Sequence, residues 1–134
     1  MSGSPTALSD LPLYTTMTEN PGPVVERLYS GRKDSVIVRE NGQWRPLAPR
    51  LDLDSENSGD FAWGEATPAG KRLALAMLAD ALGNDDRAVE LAEIFNNRVV
   101  AILPERWTMT RARVVSHADL MFRESIQDRL HAWV

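Results

Sequence analysis

Two short segments near the start of the chain predict β-strands, the first from the alternation of its side chains and the second from its apolar β-branched residues. The first segment, VVERLYS, covers residues 24–30. The second, SVIVRE, covers residues 35–40 and is rich in the β-branched residues that favour strands. The polar residues 31–34 between them predict a turn.

A tight hairpin and a third strand are predicted directly afterwards. Asn41 and Gly42 form the dipeptide that a type I′ turn favours, because both central positions of that turn require positive φ. Residues 43–47, QWRPL, return as a strand, and Pro46 must lie at a sheet edge or end the strand because it has no N–H to donate. The pattern therefore predicts an antiparallel meander of three short strands over roughly residues 24–47.

Two helices are predicted next, and both have clear start signals. Thr67 is a favourable N-cap and Pro68 falls at the first helical position. Apolar residues then occupy the whole circumference up to Gly83, the expected left-handed C-cap, which indicates a buried helix. After a very short turn, the sequence NDD at residues 84–86 begins the partner helix of an αα-hairpin. Its apolar stripe consists of Ala88, Leu91, Ala92, Phe95, Val99 and Ile102.

A C-terminal helix is expected to start at Thr110 or Ser116, after a segment from which Trp107 covers the core. One face of this helix carries apolar residues at steps of four, four and three. They are Phe122, Ile126, Leu130 and Trp133. Because a short terminal helix must bury such a face, a homodimer through it is one prediction.

These elements together predict an α+β fold, with the short β-meander packed on the αα-hairpin and the C-terminal helix added. A chain of 134 residues with 43% hydrophobic and 25% charged residues suits a single domain with a sizeable core, which we place at residues 23–134. Residues 1–22 are rich in Ser, Thr and Pro and lack periodicity, so they predict a flexible or extended N-terminal arm.

The composition excludes several classes of chemistry. The chain contains no cysteine, so it has no disulfide framework, no thiolate zinc site and no cysteine nucleophile. It shows no signal-peptide pattern and no apolar run near the roughly 18 residues of a membrane span. We therefore expect a cytoplasmic protein that does not interact with membranes.

Motifs for catalysis and for cofactors are also missing. The sequence has neither a glycine-rich phosphate loop nor a G-x-S-x-G motif, and His117 and His131 are too isolated to suggest a metal site or a triad. The spacing from Asp54 to Glu65 resembles a calcium loop, but the prolines before it exclude the entering helix that such a loop needs. We therefore predict no catalytic residue, no metal and no cofactor, and we favour a protein that is not an enzyme, with an enzyme kept as an open alternative.

Charge is distributed unevenly along this chain, whose net charge is −4. The loop after the meander is acidic, and acidic patches attract basic surfaces of other proteins because complementary charge steers association. The leading hypothesis is therefore a non-enzymatic interaction protein that contacts a partner through this loop, and a solvated loop without a partner is the alternative. The candidate contact residues are Asp52, Asp54, Glu56 and Asp60.

A second hypothesis is nucleic-acid binding by the basic hairpin at residues 32–50, which combines positive charge with an aromatic residue. Its candidate residues are Arg32, Lys33, Arg39, Trp44 and Arg45. The structural alternative places Val36, Val38 and Trp44 on one face of the strands and the charges on the other. A third hypothesis is a small-ligand site or a hydrolase pocket near Trp63 and Trp107.

The aromatic sequence FAWG at residues 61–64 lies directly before the first helix start. It is either a binding loop or a hydrophobic support for the buried helix. We favour the support, because a helix that is apolar all round needs cover on several sides, and Phe61 and Trp63 are placed to supply it.

The order of several short motifs resembles a small bacterial family. These motifs are LYSGR at 28–32, LDL at 51–53, FAWG at 61–64, PAGKRLALAMLADALG at 68–83 and VVAILPERW at 99–107. The family is a domain of unknown function that occurs in chromosomal, plasmid and phage-associated genes, and the resemblance covers about residues 27–115. It implies no catalytic residue. It agrees with an accessory or anti-defence factor of a mobile element, an inhibitor of a host protein.

Overall fold

The computed structural model describes residues 26–33, 35–53 and 60–132. The predicted N-terminal arm, Asp54, Glu56 and Trp133 lie outside these residues. The strands are β1 (Arg27–Arg32), β2 (Ser35–Glu40), β3 (Gln43–Pro46) and β4 (Arg106–Thr110). The helices are α1 (Pro68–Leu82), α2 (Asp85–Arg98) and α3 (Arg111–Ala132), with a 3₁₀ turn at Val100–Ile102. The α+β class predicted from the sequence is confirmed.

The strands form one antiparallel sheet in the order β3-β2-β1-β4. The predicted meander is its first three strands, and Asn41 and Gly42 have the positive φ values, 55° and 78°, that a type I′ turn requires. The first turn is shorter than predicted, because Gly31 and Arg32 belong to β1 and Lys33 (φ 59°) begins the turn.

Strand β4 was not predicted. In RWTMT, Trp107 and Met109 are buried and alternate with exposed residues, so the segment has the period of a half-buried strand. Trp107 lies opposite Gly31 in the β1–β4 register. A side chain at Gly31 would occupy the position of the indole, since a Cβ there would lie 2.2 Å from Trp107 Nε1. Only a glycine leaves the tryptophan room to cover the core.

The inner face of the sheet packs on the helices. Its buried residues are Tyr29, Val36, Val38, Trp107 and Met109. The expectation that Trp44 shares this face was wrong, because the register pairs Trp44 with Arg39 and Arg45 with Val38. Since cross-strand partners lie on the same side of a sheet, Trp44 points outward and Arg45 inward.

Helix α1 is the centre of the core, as its composition predicts. Thr67 Oγ1 accepts a hydrogen bond from the Gly70 N–H at 3.0 Å, and Gly83 adopts the left-handed conformation (φ 63°) that ends the helix. Buried residues occupy all sides of the helix, from Leu73 to Ala81.

Helix α2 begins as predicted, with Asn84 Oδ1 accepting from the Arg87 N–H at 3.0 Å. Its apolar stripe is buried up to Val99. Ile102 does not continue the stripe and is 76% exposed. The α-helix ends at Arg98, and the following 3₁₀ turn advances by a different angle per residue, which rotates Ile102 to the surface.

The FAWG segment supports the core. Phe61 is buried, and the Trp63 ring packs edge-on against Trp107 with ring centroids 5.8 Å apart. The Trp63 indole N–H donates to the Glu105 carbonyl at 3.2 Å, and the Gly64 N–H donates to the Val100 carbonyl at 3.0 Å. These contacts fix the chain before α1, as the support interpretation predicts.

Helix α3 begins at Arg111 with Thr110 at its N-terminal cap, where Oγ1 accepts from the Arg113 N–H at 3.2 Å. Its buried residues are Val114, Ala118 and Met121. Phe122 packs against the core, and the Arg87 guanidinium lies 3.4 Å from its ring centroid. The next two residues of the predicted face are exposed to solvent, Ile126 to 38% and Leu130 to 60%. A homodimer through this face stays a prediction.

His117 has a packing role on α3. Its ring lies edge-on against Phe95 with centroids 6.3 Å apart. Burial of the ring, together with the nearby positive charge of Arg113, lowers the pKa of His117 below its usual value.

We expect the stability of the protein to fall as the pH drops below about 6.5 because of His117. The unfolded pKa is about 6.5 and the folded pKa is lower, so protons bind the unfolded chain more tightly. The contribution is fully present above about pH 6.5 and is lost as the pH falls towards the folded pKa. Urea unfolding at several pH values measures it, with His117→Gln as the control. An equal pH dependence in both proteins would contradict the assignment.

Candidate functional site

The outer sheet face consists of the strand side chains that point away from the helices, and none of them is buried. These residues are Leu28, Ser30, Arg32, Ser35, Ile37, Arg39, Trp44, Pro46, Arg106, Thr108 and Thr110. The face is therefore a surface of four strands that is open to the solvent over its described residues.

The strand register arranges this face in three rows that run across the sheet. The first row is Trp44, Arg39, Leu28 and Thr110, the second is Pro46, Ile37, Ser30 and Thr108, and the third is Ser35, Arg32 and Arg106. Adjacent rows are about 7 Å apart, since each row advances by two residues. Trp44 and the Arg32–Arg106 pair thus lie at opposite corners, separated by apolar and hydroxyl groups.

Positive charge dominates the outer sheet face. The described residues of its three rows include Arg32, Arg39 and Arg106 but no carboxylate. Arg32 and Arg106 are direct cross-strand neighbours. Among the described residues neither forms an ion pair, and the exposed Lys33 follows Arg32 in the turn. Like charges directly opposite each other in a sheet repel, so this corner is suited to an anion.

Trp44 is the large aromatic residue of the outer sheet face and is 51% exposed. The Arg39 guanidinium lies 5.7 Å from its ring centroid, within the range of a cation–π contact. The first row therefore presents an aromatic ring and a positive charge side by side.

Two shallow depressions lie along this face. One is next to the first row, and it includes Leu28, Arg39 and Thr110, with Glu26 at its margin. The second lies near the third row and is lined by Ser30, Arg32, Lys33, Ser35 and Ile37. Both combine apolar surface with at least one arginine.

Arg45 was predicted with the basic surface, but its guanidinium points to the other side of the sheet. Its Nη2 lies 2.9 Å from Asp80 Oδ1 on α1. The Tyr29 hydroxyl donates to Asp80 Oδ2 at 2.7 Å, and Arg27 Nη1 donates to the Asp80 carbonyl at 2.6 Å. Burial, together with this hydrogen bond to Asp80, raises the pKa of the Tyr29 phenol. Arg45 is therefore part of a network that fastens the meander to α1.

The acidic loop is only partly described. The Asp52 side chain is 62% exposed and binds Arg50, whose Nη2 lies 2.8 Å from Asp52 Oδ2 and 2.9 Å from Asp85 Oδ2. Arg50 holds the pKa of Asp52 below its usual range. Asp60 is also exposed, and its carbonyl accepts from Arg72 Nη1 at 2.6 Å. An arginine thus lies within the surface that was predicted to be acidic.

The third predicted site is occupied by packed side chains. Trp63 and Trp107 contact each other edge to face, and Trp107 is buried. The two rings therefore fill the space between them, and a ligand would have to bind beside the pair.

The sequence analysis missed Arg106, because it depends on β4. The alternation in RWTMT is the signal that could have identified the strand, and with it the arginine on its outward side. What the sequence could not give is the register that places Arg106 opposite Arg32.

The fold and this surface define a small α+β protein with an exposed, basic face on an antiparallel sheet. Within the described residues, none of the helices is long and apolar enough to cross a membrane. The chain belongs to the family of unknown function DUF6166, which it matches over residues 29–120. This match confirms the resemblance to a domain of unknown function. Neither a curated protein nor a solved structure matches the chain.

Proposed function

We propose that the protein is a non-enzymatic binding protein whose outer sheet face binds nucleic acid through its phosphates. The observation that carries the proposal is the cross-strand pair Arg32 and Arg106. Such a pair costs stability in the free protein, and a bound phosphate between the guanidinium groups would remove the repulsion.

Other features of the face support the same ligand. Arg39 adds a third positive charge, and Ser30, Thr108 and Thr110 supply hydroxyls that can donate to phosphate oxygens. The net charge of −4 does not oppose this, because the local charge of a surface, rather than the total, decides where an anion binds.

We expect the protein to bind mixed-sequence oligonucleotides at low salt, with affinity that falls as salt rises. Three or four phosphate contacts predict a slope of about −2 to −3 for log K against log salt on single strands. The Arg32→Ala/Arg106→Ala double variant should bind at least about tenfold more weakly and show a shallower slope. Fluorescence anisotropy of a labelled oligonucleotide measures both quantities.

A matched control removes the same charge elsewhere. The Lys71→Ala/Arg123→Ala variant also loses two positive charges, but from exposed positions on α1 and α3. It should bind like the unmodified protein. Equal losses in the two double variants would indicate a general charge effect and would contradict a site on the sheet.

A protein contact through the acidic loop is the second candidate, and the exposure of Asp52 and Asp60 favours it. The more specific hypothesis, that the protein is an anti-defence factor of a mobile element, depends on the identity of this partner. Affinity purification with Asp52→Lys/Asp60→Lys tests this function. If charge reversal leaves every captured protein bound, the loop is not the contact surface.

A further inference from the structure

We infer that the nucleic acid bound by the outer sheet face is single-stranded and that one of its unpaired bases stacks on Trp44. This inference rests on the proposed function and specifies the form of the ligand. It depends on where the register places Trp44 and on the shape of the face.

Trp44 lies on β3, whose described ladder pairs it with β2 alone, so it occupies an edge of the sheet. Its ring is half exposed although the sheet has an inner face that buries other aromatic residues. Base stacking on an exposed aromatic ring is a general source of affinity for single strands, because every base has a π-face. In a duplex that face is already covered by the neighbouring base pairs.

The shape of the outer sheet face also disfavours a duplex. Four strands at a spacing of about 4.8 Å place the outermost strands about 14 Å apart, before side chains are counted. The major groove of B-DNA is about 12 Å wide and admits a helix or a two-stranded ribbon. A four-stranded face therefore cannot enter the groove, but a flexible single strand can lie across it.

The rows define a path for such a strand. A base on Trp44 places its phosphate beside Arg39 in the first row. Two rows further, about 13 Å along the strands, Arg32 and Arg106 receive later phosphates. The middle row between them offers Ile37 as apolar contact surface, and the hydroxyls of Ser30 and Thr108 as hydrogen-bond groups.

The test compares three probes of the same mixed sequence and about 12 nucleotides, namely single-stranded DNA, single-stranded RNA and the DNA duplex. We expect single strands to bind at least about tenfold more tightly than the duplex. Trp44→Ala should weaken single-strand binding about tenfold, the loss typical of one base stack, and Trp44→Phe should restore most of it. Ile102→Ala, which removes another exposed apolar side chain, should have no effect. Tighter binding of RNA than of DNA would indicate contacts with the 2′-hydroxyls. Equal binding would indicate that the protein contacts the bases and phosphates alone.

Two different failures can be distinguished. If no probe binds at low salt, the proposed function is wrong and this inference with it. If binding depends on Arg32 and Arg106, but the duplex binds as tightly as the single strands and Trp44→Ala has no effect, the surface binds phosphate alone. That result overturns the stacking inference and leaves the proposed function intact.

Discussion

Replacing Gly31 with alanine is expected to destabilise the protein by about 3 kcal/mol. The added Cβ would lie 2.2 Å from Nε1 and 2.3 Å from Cε2 of Trp107. The indole cannot move aside easily, because it is buried and packs against Trp63. Strand propensity alone predicts the opposite sign, since glycine is disfavoured within strands. For a domain of this size the melting temperature should fall by about 10 °C, as measured by calorimetry.

A double-mutant cycle tests whether the clash is the cause. In a Trp107→Leu background the smaller side chain leaves space, so Gly31→Ala should then cost less than about 1 kcal/mol. Ser30→Ala, on the outer face of the same strand, should change stability by no more than about 0.5 kcal/mol. If Gly31→Ala has the same cost with and without the indole, the close approach does not explain it.

Local signals predicted the helices and the meander well. Thr67, Pro68 and Gly83 each act through the backbone of their own turn, and Asn41-Gly42 requires only its own φ values. Such features can be predicted because the chemistry that causes them lies within a few residues. The burial of α1 follows from its composition for the same reason, since a helix that is apolar all round cannot face water.

The features that were missed depend on contacts between distant segments. Strand β4 pairs with β1 from about 80 residues away, and the pairing is what makes Trp107 cover Gly31. The assignment of Trp44 to the wrong face is a register error of the kind that a period of two makes easy. The hairpin residues of the candidate site were identified, but their grouping into an outer surface needed the complete sheet.

The difference between local signals and contacts of distant segments matters most for the arginines. Five basic or aromatic positions in the hairpin look equivalent in the sequence, but the register separates them. Arg32 and Arg39 join Arg106 on the outer sheet face, while Arg45 binds Asp80 on the helix side of the sheet, where the pair is partly buried. The same alternation therefore produces an exposed basic surface, the proposed ligand site, on one side of the sheet and a structural ion pair on the other.

Replacing Asp80 with alanine is expected to destabilise the protein by about 2–3 kcal/mol, which tests that structural ion pair. Its carboxylate accepts from the Tyr29 hydroxyl at 2.7 Å and binds Arg45 at 2.9 Å, and Arg27 also lies within ion-pair distance at 3.5 Å. Removing it leaves two guanidinium groups and a buried hydroxyl without their main acceptor. Glu40 remains near both arginines, at 3.4 and 3.6 Å, and limits the loss.

The sign of the change is informative, because Asp80 lies near the C-terminal end of α1. A carboxylate at the C-terminal end of a helix is repelled by the negative end of the helix dipole. The dipole alone therefore predicts that Asp80→Ala stabilises the protein by about 0.3–1 kcal/mol. Urea unfolding at neutral pH decides between the two effects. Asp80→Asn keeps an acceptor for Tyr29 and should cost less than alanine, and Asp119→Asn, an exposed control on α3, should be nearly neutral. If Asp80→Ala is as stable as the unmodified protein, the network does not hold the meander on α1.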